Sequence, residues 1–172
     1  LKPRPGRARP RIGFVSPSLY RHTVCHLFGP WITGLDRKRF EVQVFHAAGP
    51  VDEETERLRA GADVFHTGFR GGDSLVERLA AAELDAIIYL DIGMAPIVQL
   101  PAALRLAPLQ CATWGHPVTT GLSTIDVYLT NELMEPAGGD ADYRERLERM
   151  PHIGIAYPYP KDAEGPAEAN DR

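Results

Sequence analysis

An α/β fold, an open and mostly parallel sheet flanked by helices, is what this sequence predicts, and three observations carry the prediction. Segments rich in β-formers alternate with helical patterns across short connections, the arrangement that lays strands side by side in parallel. Residues 85–90 (DAIIYL) are apolar almost throughout, as a central parallel strand covered on both faces must be. A second apolar run, residues 106–113, ends in Trp114-Gly115-His116-Pro117-Val118-Thr119-Thr120-Gly121, too particular a sequence for an ordinary turn. It delivers an imidazole, two hydroxyls and two conformationally special residues just past the carboxyl end of a strand, where open α/β sheets keep their ligands.

Taken in order, residues 1–10 are rich in proline and arginine, cannot hold a helix, and read as a linker or disordered lead. The fold begins with a short strand at 11–16, closed by Ser16-Pro17-Ser18. Val24, Leu27, Phe28, Trp31, Ile32 and Leu35 then make one apolar helical stripe, and Pro30 inside it predicts a kink or a late start. Residues 40–46 alternate as a strand with one face better buried than the other. Asp52 offers an N-cap, and Glu53, Glu54 and Glu56 favour the first turn of a short helix to about Ala60. A brief strand at 62–67 and the glycines at 68, 71 and 72 lead to Ser74 and Glu77, spaced as a capping box for the next helix. After the central strand, a helix is expected from Pro96 towards Arg105, interrupted by Pro101. Residues 106–113 and 125–129 supply two further strands, and residues 140–150 have the charge density of a solvated helix. Residues 158–172 read as a loose, proline-rich, acidic tail. One domain, residues 11–157, holds all the elements.

With 172 residues, 44% hydrophobic and 24% charged, the chain can bury one core. Its formal net charge of -4 leaves no basic surplus to neutralise phosphates, so nucleic acid is not an expected partner. No apolar run is long enough to span a membrane, and the first residues lack the apolar centre of a signal peptide. A soluble, cytoplasmic protein without a membrane partner is therefore expected. Cys25 and Cys111 make neither a disulfide framework nor a CxxC metal pair, which fits a reducing compartment. The chain begins at Leu1 rather than Met, and we expect it to be part of something longer.

Past Val15 the chain reads Ser16-Pro17-Ser18-Leu19-Tyr20, which is no dinucleotide fingerprint, and there is no Walker loop, so no cofactor site is expected. His22 and His26 stand four apart, but HTVCH lacks the glutamate of a zinc hydrolase, and no metal site is expected either. His26 reads as a solvent histidine. His22, in contrast, sits at a strand-to-helix turn on the carboxyl edge, where a neutral imidazole can position a hydroxyl or accept its proton. Asp91 delivers a carboxylate to the same edge, or else caps the helix that follows. Gly115, His116, Pro117, Thr119 and Thr120 bring hydroxyls and backbone N–H groups suited to sugar or phosphate oxygens. The plainer alternative is a rigid turn fixed by Gly115 and Pro117.

These residues also carry a family likeness. RIGFVSPSLYRHTVCHLF, DRKRFEV, LDIGMAP, LRLAPLQCATWGHPVTTGLSTIDVYLT and ELMEPAGGDADYRERLERMPHIGI occur in order over residues 11 to about 160. Together they resemble the N-terminal half of the catalytic region in the O-GlcNAc transferase and SPINDLY-like glycosyltransferases, especially the bacterial members and the related protein N-glycosyltransferases. The resemblance implies one Rossmann-like, three-layer half of a GT-B fold, with a UDP-sugar as donor, a protein or peptide as acceptor, and no metal. It implies the acceptor-side half of an enzyme that transfers a sugar, N-acetylglucosamine, to Ser/Thr side chains. On this likeness the family histidine next to donor and acceptor falls on His22, the aspartate closing the central strand on Asp91, and the sugar- and phosphate-holding loop on Gly115 to Gly121. His116 departs from the aromatic residue of the animal enzymes and agrees with the bacterial branch. The second catalytic domain and the upstream tetratricopeptide repeats of the family are missing from this sequence, so this half alone is expected to be inactive. Two other readings fit the same residues: a non-catalytic degenerate copy that binds partners, and an Asn-directed hexosyltransferase. A small sugar-binding or epimerase-like protein is a third.

Overall fold

A computed structural model describes residues 4–155; the tail expected at 158–172 lies outside the described residues. Seven strands are present in that span: β1 (Arg11–Ser16), β2 (Glu41–His46), β3 (Val64–His66), β4 (Ala86–Tyr89), β5 (Leu109–Thr113), β6 (Val127–Asn131) and β7 (Arg146–Met150). They form one sheet in the order β3-β2-β1-β4-β5-β6-β7, with every neighbouring pair parallel. This is the expected Rossmann-like α/β architecture. The chain winds outward from β1 to β3, then returns to lay β4 on the other side of β1. The order therefore reverses between β1 and β4, and a crevice opens at their carboxyl ends.

Four helices join the strands: α1 (Thr23–Gly34), α2 (Glu53–Gly61), α3 (Gly72–Ala82) and α4 (Gln99–Ala102), the last entered through a 3-10 turn at Pro96–Val98. α1 packs on α2 and α3 on α4; right-handed crossovers put the two pairs on opposite faces of the sheet. Between them the core collects Phe14, Val15, Val44, Phe45, Ile87 and Tyr89 from the central strands, all almost fully buried. Each contributes about 1.5–3 kcal/mol on burial. One part of this core matters more for the site. Trp114, just past β5, lies against Phe28 and Trp31 of α1 at centroid separations of 4.8 and 5.2 Å. This contact fixes the first helix relative to the loop that follows β5.

Several local expectations need correction. α1 begins at Thr23 and runs through Pro30 with no late start, because His22 supplies its cap. Ser74 is not the cap of α3. It stands three residues inside the helix, and its Oγ accepts from the backbone N–H groups of Arg70 and Gly71 at 3.0 and 3.2 Å. The helix predicted towards Arg105 stops at Ala102, one turn around Pro101. β5 begins at Leu109 rather than 106, since Pro108 has no N–H to give and the amides of Leu106 and Ala107 bond instead to the Gln110 side chain. The largest change is at residues 140–150, where the solvated helix proves to be a short 3-10 turn at Gly139–Asp142 and then β7. Glu145 and Leu147 are buried while Arg146 and Glu148 are exposed, so this charged stretch has the period of a strand.

The lead has little structure of its own, yet the described part of it is tied down. Arg4 donates from its backbone N–H to Asp85 (3.0 Å) and from its guanidinium to the Leu84 carbonyl (3.1 Å), and Arg7 bonds the Glu83 carbonyl. At the same end of the sheet Gln110 is fully buried and saturated. Its amide nitrogen donates to the carbonyls of Leu104 (3.0 Å) and Thr124 (2.9 Å), while its oxygen accepts from Leu106 (2.8 Å) and Ala107 (3.2 Å). One side chain thus staples the connections before β5 and β6. Gln110→Ala is expected to leave these backbone groups unpartnered and lower stability by about 2–4 kcal/mol. A urea midpoint within error of the wild type would show that the staple is dispensable.

Candidate active site at the strand-order reversal

β1 ends in Ser16 and β4 leads into Leu90-Asp91, so both strands deliver their next residues to the crevice. Asp91 is only 1% exposed, and its Oδ2 accepts from the hydroxyls of Ser16 (2.9 Å) and Ser18 (2.8 Å), themselves buried. Ser18 donates its backbone N–H to the Ser16 hydroxyl at 2.8 Å, which closes the turn. The other oxygen, Oδ1, is buried with no hydrogen-bond partner among the described residues. Burial pushes the Asp91 carboxyl above its usual range; the two serine hydroxyls and the imidazoles of His22 and His116 pull the other way and recover only part of that. Both histidines therefore lie within electrostatic reach of the same carboxyl.

His22 is placed by the start of α1. It is the N-cap in extended conformation, and its Nδ1 accepts from the Val24 backbone N–H at 3.2 Å. Tyr20 lies beside it with ring centroids 5.5 Å apart. His116 arrives from the far side, at the end of β5. A Cβ on Gly115 would come within 2.0 Å of the Leu90 carbonyl oxygen, so only glycine lets the loop pass this close to β4. Gly93, at φ +103, leaves the notch into which the imidazole fits: a Cβ there would stand 2.4 Å from His116 Cδ2. Tyr128 completes the seat by donating its hydroxyl to the His116 carbonyl at 2.9 Å.

The structure thus brings His22, Asp91, Gly115 and His116 together, and leaves Pro117 exposed on the outer turn. Thr119 and Thr120, further along the same loop, have a partner of their own. Their hydroxyls, expected to meet sugar or phosphate oxygens, are both committed to Glu145 at the amino end of β7: Thr119 Oγ1 donates to Oε2 at 2.6 Å, Thr120 Oγ1 and its backbone N–H (2.8 Å) to Oε1. The loop is clamped from below. Burial raises the Glu145 carboxyl, and these hydrogen bonds more than offset it, holding it below its ordinary value. His26 is half-buried on α1. Cys25 and Cys111 are buried free thiols pushed up to about 11 and about 12 by that burial, so neither is a nucleophile near neutral pH.

Sequence reasoning passed over Ser16, Ser18 and Glu145. For the serines the signal was positional: the parallel register pairs Val15 with Tyr89, which puts the residues after each strand on one rim. For Glu145 it was the two-residue alternation already noted in β7.

No family model matches the chain. It is 28% identical over 154 residues to a protein described as a probable UDP-N-acetylglucosamine–peptide N-acetylglucosaminyltransferase, SPINDLY, of Arabidopsis thaliana, covering 85% of this chain and 16% of that one. The rice protein of the same description (Oryza sativa subsp. japonica) is 29% identical over the same shares. A third, the Arabidopsis protein SEC, is 27% identical over 97% of this chain and 17% of its own. Among solved structures, a Thermobaculum terrenum O-GlcNAc transferase mutant superposes with a TM-score of 0.84 and 29% identity, over 94% of this chain and 31% of that one. The chain spans about a sixth of the length of these curated relatives.

A lowered carboxyl stabilises the fold fully above its ordinary value and loses that contribution as pH falls through the depressed folded value. Glu145→Gln is expected to destabilise the protein by about 1–3 kcal/mol at neutral pH. The gap from wild type should close as urea midpoints are followed down to about pH 3. A gap that stays constant with pH would mean that the carboxylate charge does not hold the loop.

Proposed function

We propose, from the premise that this chain is homologous to the SPINDLY and SEC O-GlcNAc transferases and folds like a bacterial one, that it is the acceptor-side, Rossmann-like half of a protein glycosyltransferase. In this reading the complete enzyme moves a sugar, N-acetylglucosamine, from a UDP-sugar to a serine or threonine hydroxyl of a protein. The single observation that supports it most is the convergence of His22, Asp91 and His116 from three separate segments on the crevice where the strand order reverses. Ligands of open α/β sheets bind at such reversals.

The chemistry follows from what those residues offer. An acceptor hydroxyl attacking the anomeric carbon must be oriented and must lose its proton, and imidazoles do both near neutral pH. The Asp91 carboxyl is the acidic group beside them, pushed above its usual range by burial. The departing diphosphate needs positive charge. A second domain supplies that charge in this proposal, so the present half alone binds the donor feebly and transfers nothing. No metal is required.

His22→Ala in the full-length protein is expected to lower turnover on a peptide acceptor by about 10²–10³, the effect of losing one positioned donor. The assay is mass spectrometry of Ser-, Thr- and Asn-containing peptides incubated with several nucleotide sugars. Unchanged turnover in the variant would remove His22 from the reaction. Transfer confined to Asn would select the hexosyltransferase alternative instead.

A further inference from the structure

Within that proposed reaction three groups on the rim could take the acceptor's proton, and their hydrogen bonds separate them. Asp91 is closed off: Oδ2 is filled by two hydroxyls and Oδ1 is buried beyond the reach of any substrate. His22 has committed its lone pair. A neutral imidazole carries one N–H and one lone pair; the backbone N–H of Val24 occupies the lone pair on Nδ1, so the proton resides on Nε2. As the cap of α1, this ring can donate from Nε2 but cannot accept there without releasing the helix end. His116 differs on each count. Its backbone is held by Tyr128 and its ring by the notch at Gly93, it is partly exposed, and no hydrogen bond engages either ring nitrogen among the described residues.

We infer that His116 is the proton acceptor for the attacking hydroxyl and that His22 is a hydrogen-bond donor to it or to the donor sugar. This deepens the function proposed above and rests on it. In the step, the acceptor oxygen forms a bond to the anomeric carbon. The bond from that carbon to the phosphate oxygen breaks, and the nucleoside diphosphate leaves with the electron pair. The hydroxyl proton passes to a ring nitrogen of His116, giving an imidazolium next to the Asp91 carboxyl. His22 Nε2–H contributes a hydrogen bond and exchanges no proton.

Two variants of the full-length enzyme test the assignment. Asparagine can cap a helix through its oxygen and donate through its amide, but cannot carry a proton away. His22→Asn is therefore expected to lower kcat only about tenfold. His116→Gln is expected to lower kcat about 10²–10⁴ with little change in KM, the range for a lost general base. A cysteine peptide, whose thiol ionises more readily, should recover much of the His116→Gln loss and little of any loss in His22→Asn. Equal losses in both variants, or a His116→Gln enzyme that keeps its turnover, would overturn the inference. Long-range nitrogen–proton spectra of the ¹⁵N-histidine-labelled chain give a readout without activity. A neutral His22 protonated on Nε2 supports the assignment and one protonated on Nδ1 overturns it. Absence of transfer by the wild-type enzyme would sink the glycosyltransferase reading alone, and the spectra would still decide the tautomer.

Discussion

A carboxyl group buried inside an apolar sheet is the constraint around which this molecule is arranged. Removing a carboxylate from water costs several kcal/mol unless polar groups receive it, and among the described residues Asp91 has only two hydroxyl donors. Because those donors come from the turn after β1 while Asp91 follows β4, the hydrogen bonds also tie together the two strands between which the order reverses. The crevice is thereby given a polar floor of fixed geometry. Its remaining deficit, one unpartnered oxygen and a carboxyl pushed upward, is what the two neighbouring imidazoles act upon.

The loop after β5 answers to that floor at one end and to β7 at the other. Gly115 lets the chain pass against the Leu90 carbonyl, and Gly93 makes room for the ring of His116. Trp114, wedged against Phe28 and Trp31, joins the same point to α1 and so to the cap at His22. Further along, Thr119 and Thr120 are spent on Glu145. One loop is therefore held at both ends: Gly115 and His116 pack against the chain after β4, and Thr119 and Thr120 bond to the residue before β7.

How much of this was legible in the sequence depends on the range of the forces involved. The apolar run at 85–90 and the stripe of α1 are local patterns, and they predicted the sheet and its layers correctly; residues 40–46 predicted a strand, but their alternation implied one better-buried face where β2 is buried on both. The position of His22 and Asp91 on one rim also followed, since residues just past parallel strands share an edge. What escaped were pairings between distant segments. Nothing near Thr119 and Thr120 announces their pairing with Glu145. The stretch Asp140 to Met150 was misread because charge density outweighed its alternation. Edge strands can carry charges on the outward face, and β7 is such a strand.

The two imidazoles show why residue type alone does not assign a role. In sequence His22 and His116 are equivalent, each a histidine on a turn at the carboxyl edge. The fold distinguishes them through what it asks of their nitrogens. A helix start leaves backbone N–H groups unsatisfied, and His22 is drawn into answering one of them, which fixes its tautomer. His116 stands where the backbone already has its partners, in Tyr128 and Val118, so its ring is left to the crevice. In the proposed reaction, the scaffold's own hydrogen-bond needs thus leave His116 rather than His22 for proton transfer before any substrate arrives.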